Sequence, residues 1–114
     1  MDNRLNILIA DDHDLVREGL KHTLASLPEQ AIFLEAGSAG QVLGILAESP
    51  TVSLVILDLH MPGSNGMELL TTICNRFPDT PVVILSANED PRVMQRTIDR
   101  GAAGFIPKSA ANEV

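Results

Sequence analysis

Short apolar runs alternate along this chain with longer stretches in which apolar residues recur every three or four positions. Leu5–Ala10 is the first run, broken off by Asp11, Asp12, His13 and Asp14, a cluster of charge that no strand interior accepts. Val16, Leu20, Leu24 and Leu27 then trace the stripe of an amphipathic helix that closes before Pro28. Ala31–Ala36 predicts a second strand. Ser38 and Gln41 have the spacing of a capping box, and the helix they open carries Val42, Ile45 and Leu46 and ends before Pro50. Residues 53–57, apolar after Ser53, predict a third strand buried on both faces, as in a parallel sheet.

The third strand ends on Asp58, followed by the turn formers Pro62, Gly63, Asn65 and Gly66. Met67, Leu70, Ile73 and Phe77 mark a third helix stopped by Pro78, and residues 81–86 a fourth strand. Glu89, Asp90 and Pro91 open a fourth helix, with acids at the positive dipole end and proline in the first turn. Val93, Met94 and Ile98 are its expected apolar side and Gly101 its stop; Met67 and Met94 are both expected in the core. Residues 103–107 form a short fifth strand, followed at once by Lys108. Five alternations with short connections predict a doubly wound α/β fold, a five-stranded parallel sheet with crossover helices.

Composition narrows the function. A chain of 114 residues is one domain, and 45% hydrophobic residues suffice for a real core. A net charge of -7 repels phosphate backbones, so nucleic-acid binding by this segment is disfavoured. Cys74, the single cysteine, forms no internal disulfide and is expected to be a packing residue. The N-terminal apolar run is too short for a signal-peptide core or a membrane helix, so a cytoplasmic location without membrane contact is expected.

Polar residues stand at the carboxyl ends of four predicted strands: Asp11 and Asp12, Asp58, Ser86, and Lys108. A parallel sheet points these ends the same way, towards the edge where open α/β sheets bind ligands. Three converging carboxylates need a cation to remain charged, and all-oxygen ligands suggest Mg²⁺ rather than zinc. Mg²⁺ shares its shell readily with phosphate, so Asp58 can act as a nucleophile towards phosphorus. Lys108 would hold one phosphoryl oxygen as a point charge, and the Ser86 hydroxyl would donate to another. Taken singly, these signals are weak: Asp11, Asp12 and Asp14 read as a solvated turn with a helix cap, and Ser86 as a cap of the fourth helix. His13, His22 and His60 lack metal-ligand spacing and are expected at the surface.

Taken together, Asp11-Asp12, Asp58 with Met61-Pro62 and Gly66, Ser86, and Lys108 make the chain resemble a two-component response-regulator receiver domain, of flavodoxin-like and CheY-like build, from Leu5 through Lys108. The resemblance implies that Asp58 accepts a phosphoryl group from a sensor histidine kinase. It makes Asp12, Asp58 and the His60 backbone carbonyl direct Mg²⁺ ligands, with Asp11 acting through water. It places Ser86 and Phe105 at the family's hydroxyl and aromatic switch positions. His60 and Asn88, two residues past Asp58 and Ser86, then flank the line of attack for water and bear on phosphate lifetime. The only chemistry implied is the domain's own phosphorylation and dephosphorylation.

Asp11-Asp12-His13, residues 15–20 and residues 101–109 resemble regulators of the NarL/FixJ type, whose LuxR-type helix-turn-helix binds DNA. That implies transcriptional control through a C-terminal domain not in this chain, and a homodimer on phosphorylation. Many such receivers follow the lysine with proline after a cis bond; Ser109 departs from that pattern. Residues 109–114 have room for little more than one helical turn, so 1–114 is expected to be an excised receiver whose fourth and fifth strands lie partly bare.

Three other readings compete. A haloacid-dehalogenase-type phosphatase wants a second acid two residues after its nucleophile, where His60 stands. A flavin- or nucleotide-binding module needs a glycine- or hydroxyl-rich loop where this chain has Asp-Asp-His-Asp. A phosphorylation-independent adaptor is disfavoured by the intact acid, hydroxyl and lysine set.

Overall fold

Residues 5–27, 30–49, 51–61 and 63–111 are described by a computed structural model. The readings that rest on Pro28, Pro50 and Pro62 lie outside the described residues. Strands β1 (Leu5–Ala10), β2 (Ala31–Ala36), β3 (Leu54–Asp58), β4 (Val82–Ser86) and β5 (Gly104–Pro107) pair in parallel, in the order β2-β1-β3-β4-β5. Helices α1 (Asp14–Leu24), α2 (Ala39–Glu48), α3 (Gly66–Arg76), α4 (Pro91–Asp99) and the single turn α5 (Lys108–Ala111) complete the alternation. This is the doubly wound architecture expected, with its switch in strand order between β1 and β3.

Alternating side chains of the central strands divide the interior in two. Leu8, Ala10, Val55, Leu57, Val82 and Ile84 join Val42 and Leu46 of α2 and Leu69, Leu70 and Ile73 of α3. Ile7, Ile9, Ile56 and Leu85 join Val16 and Leu20 of α1. The apolar character of β3, β4 and β1 from Ile7 onward has its cause here, since both of their faces are covered.

Several local expectations change. β3 begins at Leu54, so Ser53 lies before it, while Asp58 is its last residue as expected. α1 ends at Leu24, and Leu27, expected on its stripe, is exposed. Ser38 Oγ accepts from the Gln41 N–H, but the Gln41 side chain reaches back to Gly37 N–H, so the capping box is only half formed. Asp90 caps α4, accepting from Arg92 N–H with Pro91 in the first turn, so Ser86 does not.

The buried face of α4 is not the expected one. Met94 and Ile98 are 38% and 42% exposed, while Thr97 is fully buried and its hydroxyl donates to the Met94 carbonyl at 2.7 Å. Val93 and Thr97 form one i,i+4 row and Met94 and Ile98 the next, and the sheet takes up only the first. Met67, by contrast, packs against the larger core as expected. β5 is half-buried along its length rather than bare, and in β4 Val82, Ile84 and Leu85 are fully buried.

Candidate functional site

Strand register sets up the site before any side chain is considered. Ala10 pairs with Leu57, so Asp11 emerges one step beyond β1 beside Asp58. Asp58 pairs with Leu85, and Ser86 with Pro107, so Lys108 leaves β5 at the same edge. The Asp11 N–H donates to the Ala36 carbonyl at 3.0 Å and the Leu59 N–H to the Leu85 carbonyl at 3.1 Å, extending the ladders into the loops. Gly66, which opens α3, lies so close to Leu59 that a Cβ there would overlap the Leu59 carbonyl. Only glycine lets α3 start against the loop that follows Asp58.

Asp11 and Asp58 are fully buried and share one cation. Lys108 Nζ stands 3.1 Å from Asp58 Oδ2 and 3.1 Å from Asp11 Oδ2. Burial opposes the charge on Lys108, but the two carboxylates outweigh it and hold its pKa above the ordinary lysine value. Asp58 Oδ1 accepts from the His60 N–H at 3.0 Å, and Asp11 Oδ1 from the His13 N–H at 2.8 Å. One ammonium thus serves two carboxylates with a third, Asp12, beside them, and Asp11 Oδ2 and Asp12 Oδ1 are buried without a hydrogen-bond partner. Asp11 Oδ2 is close to Lys108 but not aligned for a hydrogen bond. Buried, unsatisfied, hard oxygen donors with excess negative charge fit a divalent cation of the Mg²⁺ type.

Asp11, Asp12, Asp58 and Lys108 therefore meet as expected. Ser86 is buried at the same edge, but its Oγ accepts from the Asn88 N–H at 3.0 Å, and Asn88 Oδ1 accepts in turn from Asp90 N–H at 2.9 Å. Phe105 is half-buried against the larger core. The His60 side chain is exposed and lines a groove of about 560 Å³ beside the acid cluster, with Met61, Asn65, Asn88 and Arg96. No cis peptide bond occurs among the described residues, so Lys108–Ser109 is trans. Cys74 packs against the core, and burial pushes its thiol pKa up.

Two residues escaped the sequence reading. His13 is at the surface, as expected, yet it is not apart from the acids: its Nδ1 lies 2.9 Å from Asp11 Oδ1 and 3.3 Å from Asp12 Oδ1. Arg17 donates to the Asp11 carbonyl, to Asp14 and, at 2.9 Å, to Glu35 Oε1 of β2, tying the acid loop to the neighbouring strand. The Asp14 spacing was legible in the sequence; the Glu35 contact was not, because only sheet pairing brings β2 alongside.

A family model described as response regulator receiver domain matches residues 7–114. The chain belongs to that family. The receiver is 38% identical over 104 residues to the glycerol metabolism activator of Pseudomonas putida, covering 91% of this chain and 47% of that protein. It is 33% identical over 107 residues to the nitrate/nitrite response regulator NarL of Escherichia coli strain K12, covering 94% and 49%. The chain spans about half the length of these curated relatives.

Among solved structures, the RcsB response regulator of Salmonella typhimurium matches with a TM-score of 0.86 at 26% identity, covering 96% of this chain and 54% of that one. A LuxR-family regulator from Aurantimonas sp. SI85-9A1 matches with a TM-score of 0.82 at 28% identity, covering 91% and 74%. The receiver's homologues are two-component transcription regulators of the NarL/LuxR type. Receivers are generally not metabolic enzymes, and they typically bind Mg²⁺ or Mn²⁺ at an acidic pocket. Response regulators are phosphorylated by sensor kinases and bind DNA through an output domain. Among the described residues, no helix is long and apolar enough to cross a membrane.

Proposed function

We propose that this receiver, in the cytoplasm, accepts a phosphoryl group on Asp58 from a sensor histidine kinase and relays the change to a DNA-binding output domain outside residues 1–114. The observation that carries the reading is Asp58 itself. It is a fully buried carboxylate at a strand end, held on one oxygen by Lys108 and on the other by the His60 N–H.

A carboxylate oxygen of Asp58 attacks phosphorus, forming the O–P bond as the N–P bond to the donor imidazole breaks and the imidazole takes up a proton. Lys108 moves little, because its ammonium already stands beside Asp58 and can hold a phosphoryl oxygen. Asp11, Asp12, Asp58 and the His60 carbonyl would hold the divalent cation, which supplies positive charge to offset that of the phosphoryl oxygens. Ser86 gives up its role as acceptor from Asn88 to donate to the phosphoryl group, and Phe105 turns into the space vacated. The surface of α4 and β5 then changes and favours a homodimer. His60 and Asn88, at the lip of the groove, govern the water that later removes the group.

The test is incubation with a small acyl phosphate donor and Mg²⁺, read by intact mass. One added phosphoryl group, absent in Asp58→Ala and absent with chelator, is the expected result. Equal labelling of Asp58→Ala would overturn the assignment.

A further inference from the structure

We infer that His13 is a nitrogen ligand of the same cation site, so that the site favours Mn²⁺ and later divalent transition ions over Mg²⁺. This rests on the reading of Asp11, Asp12 and Asp58 as the carboxylate ligands, and adds a donor atom and a metal class to it.

His13 occupies the N-cap of α1, a place where a side chain usually accepts from the first-turn N–H groups, yet it makes no such bond. Its ring turns over the acids instead. Nδ1 is hydrogen-bonded to Asp11 Oδ1 at 2.9 Å and stands 3.3 Å from Asp12 Oδ1. Single ligand atoms of Asp11, Asp12, His13 and Asp58 all lie within 4.8 Å of one another. Neighbouring donors of an octahedral shell with bonds of about 2.1 Å are about 3.0 Å apart, so with the ring proton moved to Nε2 an ion can take the place of the hydrogen-bonded proton without displacing Nδ1. Asp12 Oδ1, the oxygen it faces, is also one of the two buried oxygens left without a hydrogen bond. The side chain of His13 is 59% exposed, so the ring can adjust to an ion without disturbing the core.

Lys108 Nζ, 3.4 Å from Nδ1, is the neighbouring positive group, and its anchorage on Asp58 and Asp11 leaves the Asp12 side of the cluster open. Carboxylates alone suit Mg²⁺ and Mn²⁺, whereas an imidazole nitrogen moves preference along the series towards nickel, copper and zinc.

The test uses the whole chain loaded with Mn²⁺ alone and pulsed electron paramagnetic resonance to detect ¹⁴N bonded to the metal. Calorimetric titrations with Mg²⁺, Mn²⁺ and Ni²⁺ accompany it, on the wild type and on His13→Ala, His13→Gln and, as a control, the exposed His22→Ala. The imidazole coupling should be present in the wild type and His22→Ala and absent from both His13 variants. The Mn²⁺-over-Mg²⁺ affinity ratio should fall about tenfold in the His13 variants, while Mg²⁺ affinity stays within about twofold. Coupling that survives His13→Ala, or an unchanged ratio with metal still bound, overturns the proposal and leaves the carboxylate site standing. Failure of the wild type to bind any of the three ions overturns both.

Discussion

Lys108 Nζ and Asp58 Oδ2 stand 3.1 Å apart although 50 residues separate them in the chain. The pairing holds the acceptor carboxylate in place from the far side of β4, since Lys108 leaves β5 and Asp58 ends β3. It leaves Asp12 without a share of the ammonium, and Asp12 Oδ1 is buried with no hydrogen-bond partner, so the edge is poised for further positive charge.

Removing that lysine is expected to be costly until a cation replaces it. Lys108→Ala strands two fully buried carboxylates, and a loss of about 3 kcal/mol is expected in chelator. Mg²⁺ should restore much of it. The folded pKa of Lys108 lies above its ordinary 10.5, so its contribution is fully present below that value and fades as pH rises through the raised one. Urea midpoints at neutral pH and above pH 10.5, with and without Mg²⁺, check both parts.

Mg²⁺ itself should stabilise the wild type. At a hundredfold excess over Kd the gain is about 2.7 kcal/mol by mass action, and it should vanish in Asp58→Ala and Asp12→Ala. Thermal unfolding in Mg²⁺ against chelator reads it. A gain of equal size in both variants would assign the ion to another place.

Gly66→Ala drives a Cβ into the Leu59 carbonyl, which is backbone and cannot rotate away. We expect a destabilisation of about 2 kcal/mol. Displacement of the loop bearing His60 should also slow labelling of Asp58, measured by intact mass against time in the refolded variant.

Arg17 holds the Asp11 carbonyl with one part of its guanidinium and Glu35 with another. Arg17→Ala should cost about 1 to 2 kcal/mol and weaken Mg²⁺ binding, since the loop bearing Asp11 and Asp12 loses its strap. Arg17→Lys should restore little, because one ammonium cannot replace the planar fork. Paired urea and calorimetric measurements distinguish loss of stability from loss of positioning.

Beryllofluoride with Mg²⁺ should move amide resonances from Asn88 to Phe105 as well as those near Asp58, because Ser86 must release Asn88 to reach the new group. Shifts confined to residues around Asp58 would break the proposed relay.

The sheet and the identity of the acids were legible in the sequence because burial on both faces demands apolar runs in β3, β4 and, beyond Asn6, β1. A polar residue can then appear only where such a run stops, so Asp11, Asp58 and Ser86 announce the carboxyl edge by position alone. Whatever depends on which surfaces meet was not legible. The rows Val93–Thr97 and Met94–Ile98 satisfy the same helical period, and only contact with the sheet chose the first. His13 looked like one more polar loop residue until the backbone turned its ring onto Asp11 and Asp12. Arg17 reached Glu35 only when β2 had paired with β1. Periodicity and composition record how much of each residue must be buried; which neighbour does the burying is settled by packing across the sheet, between residues far apart in the chain.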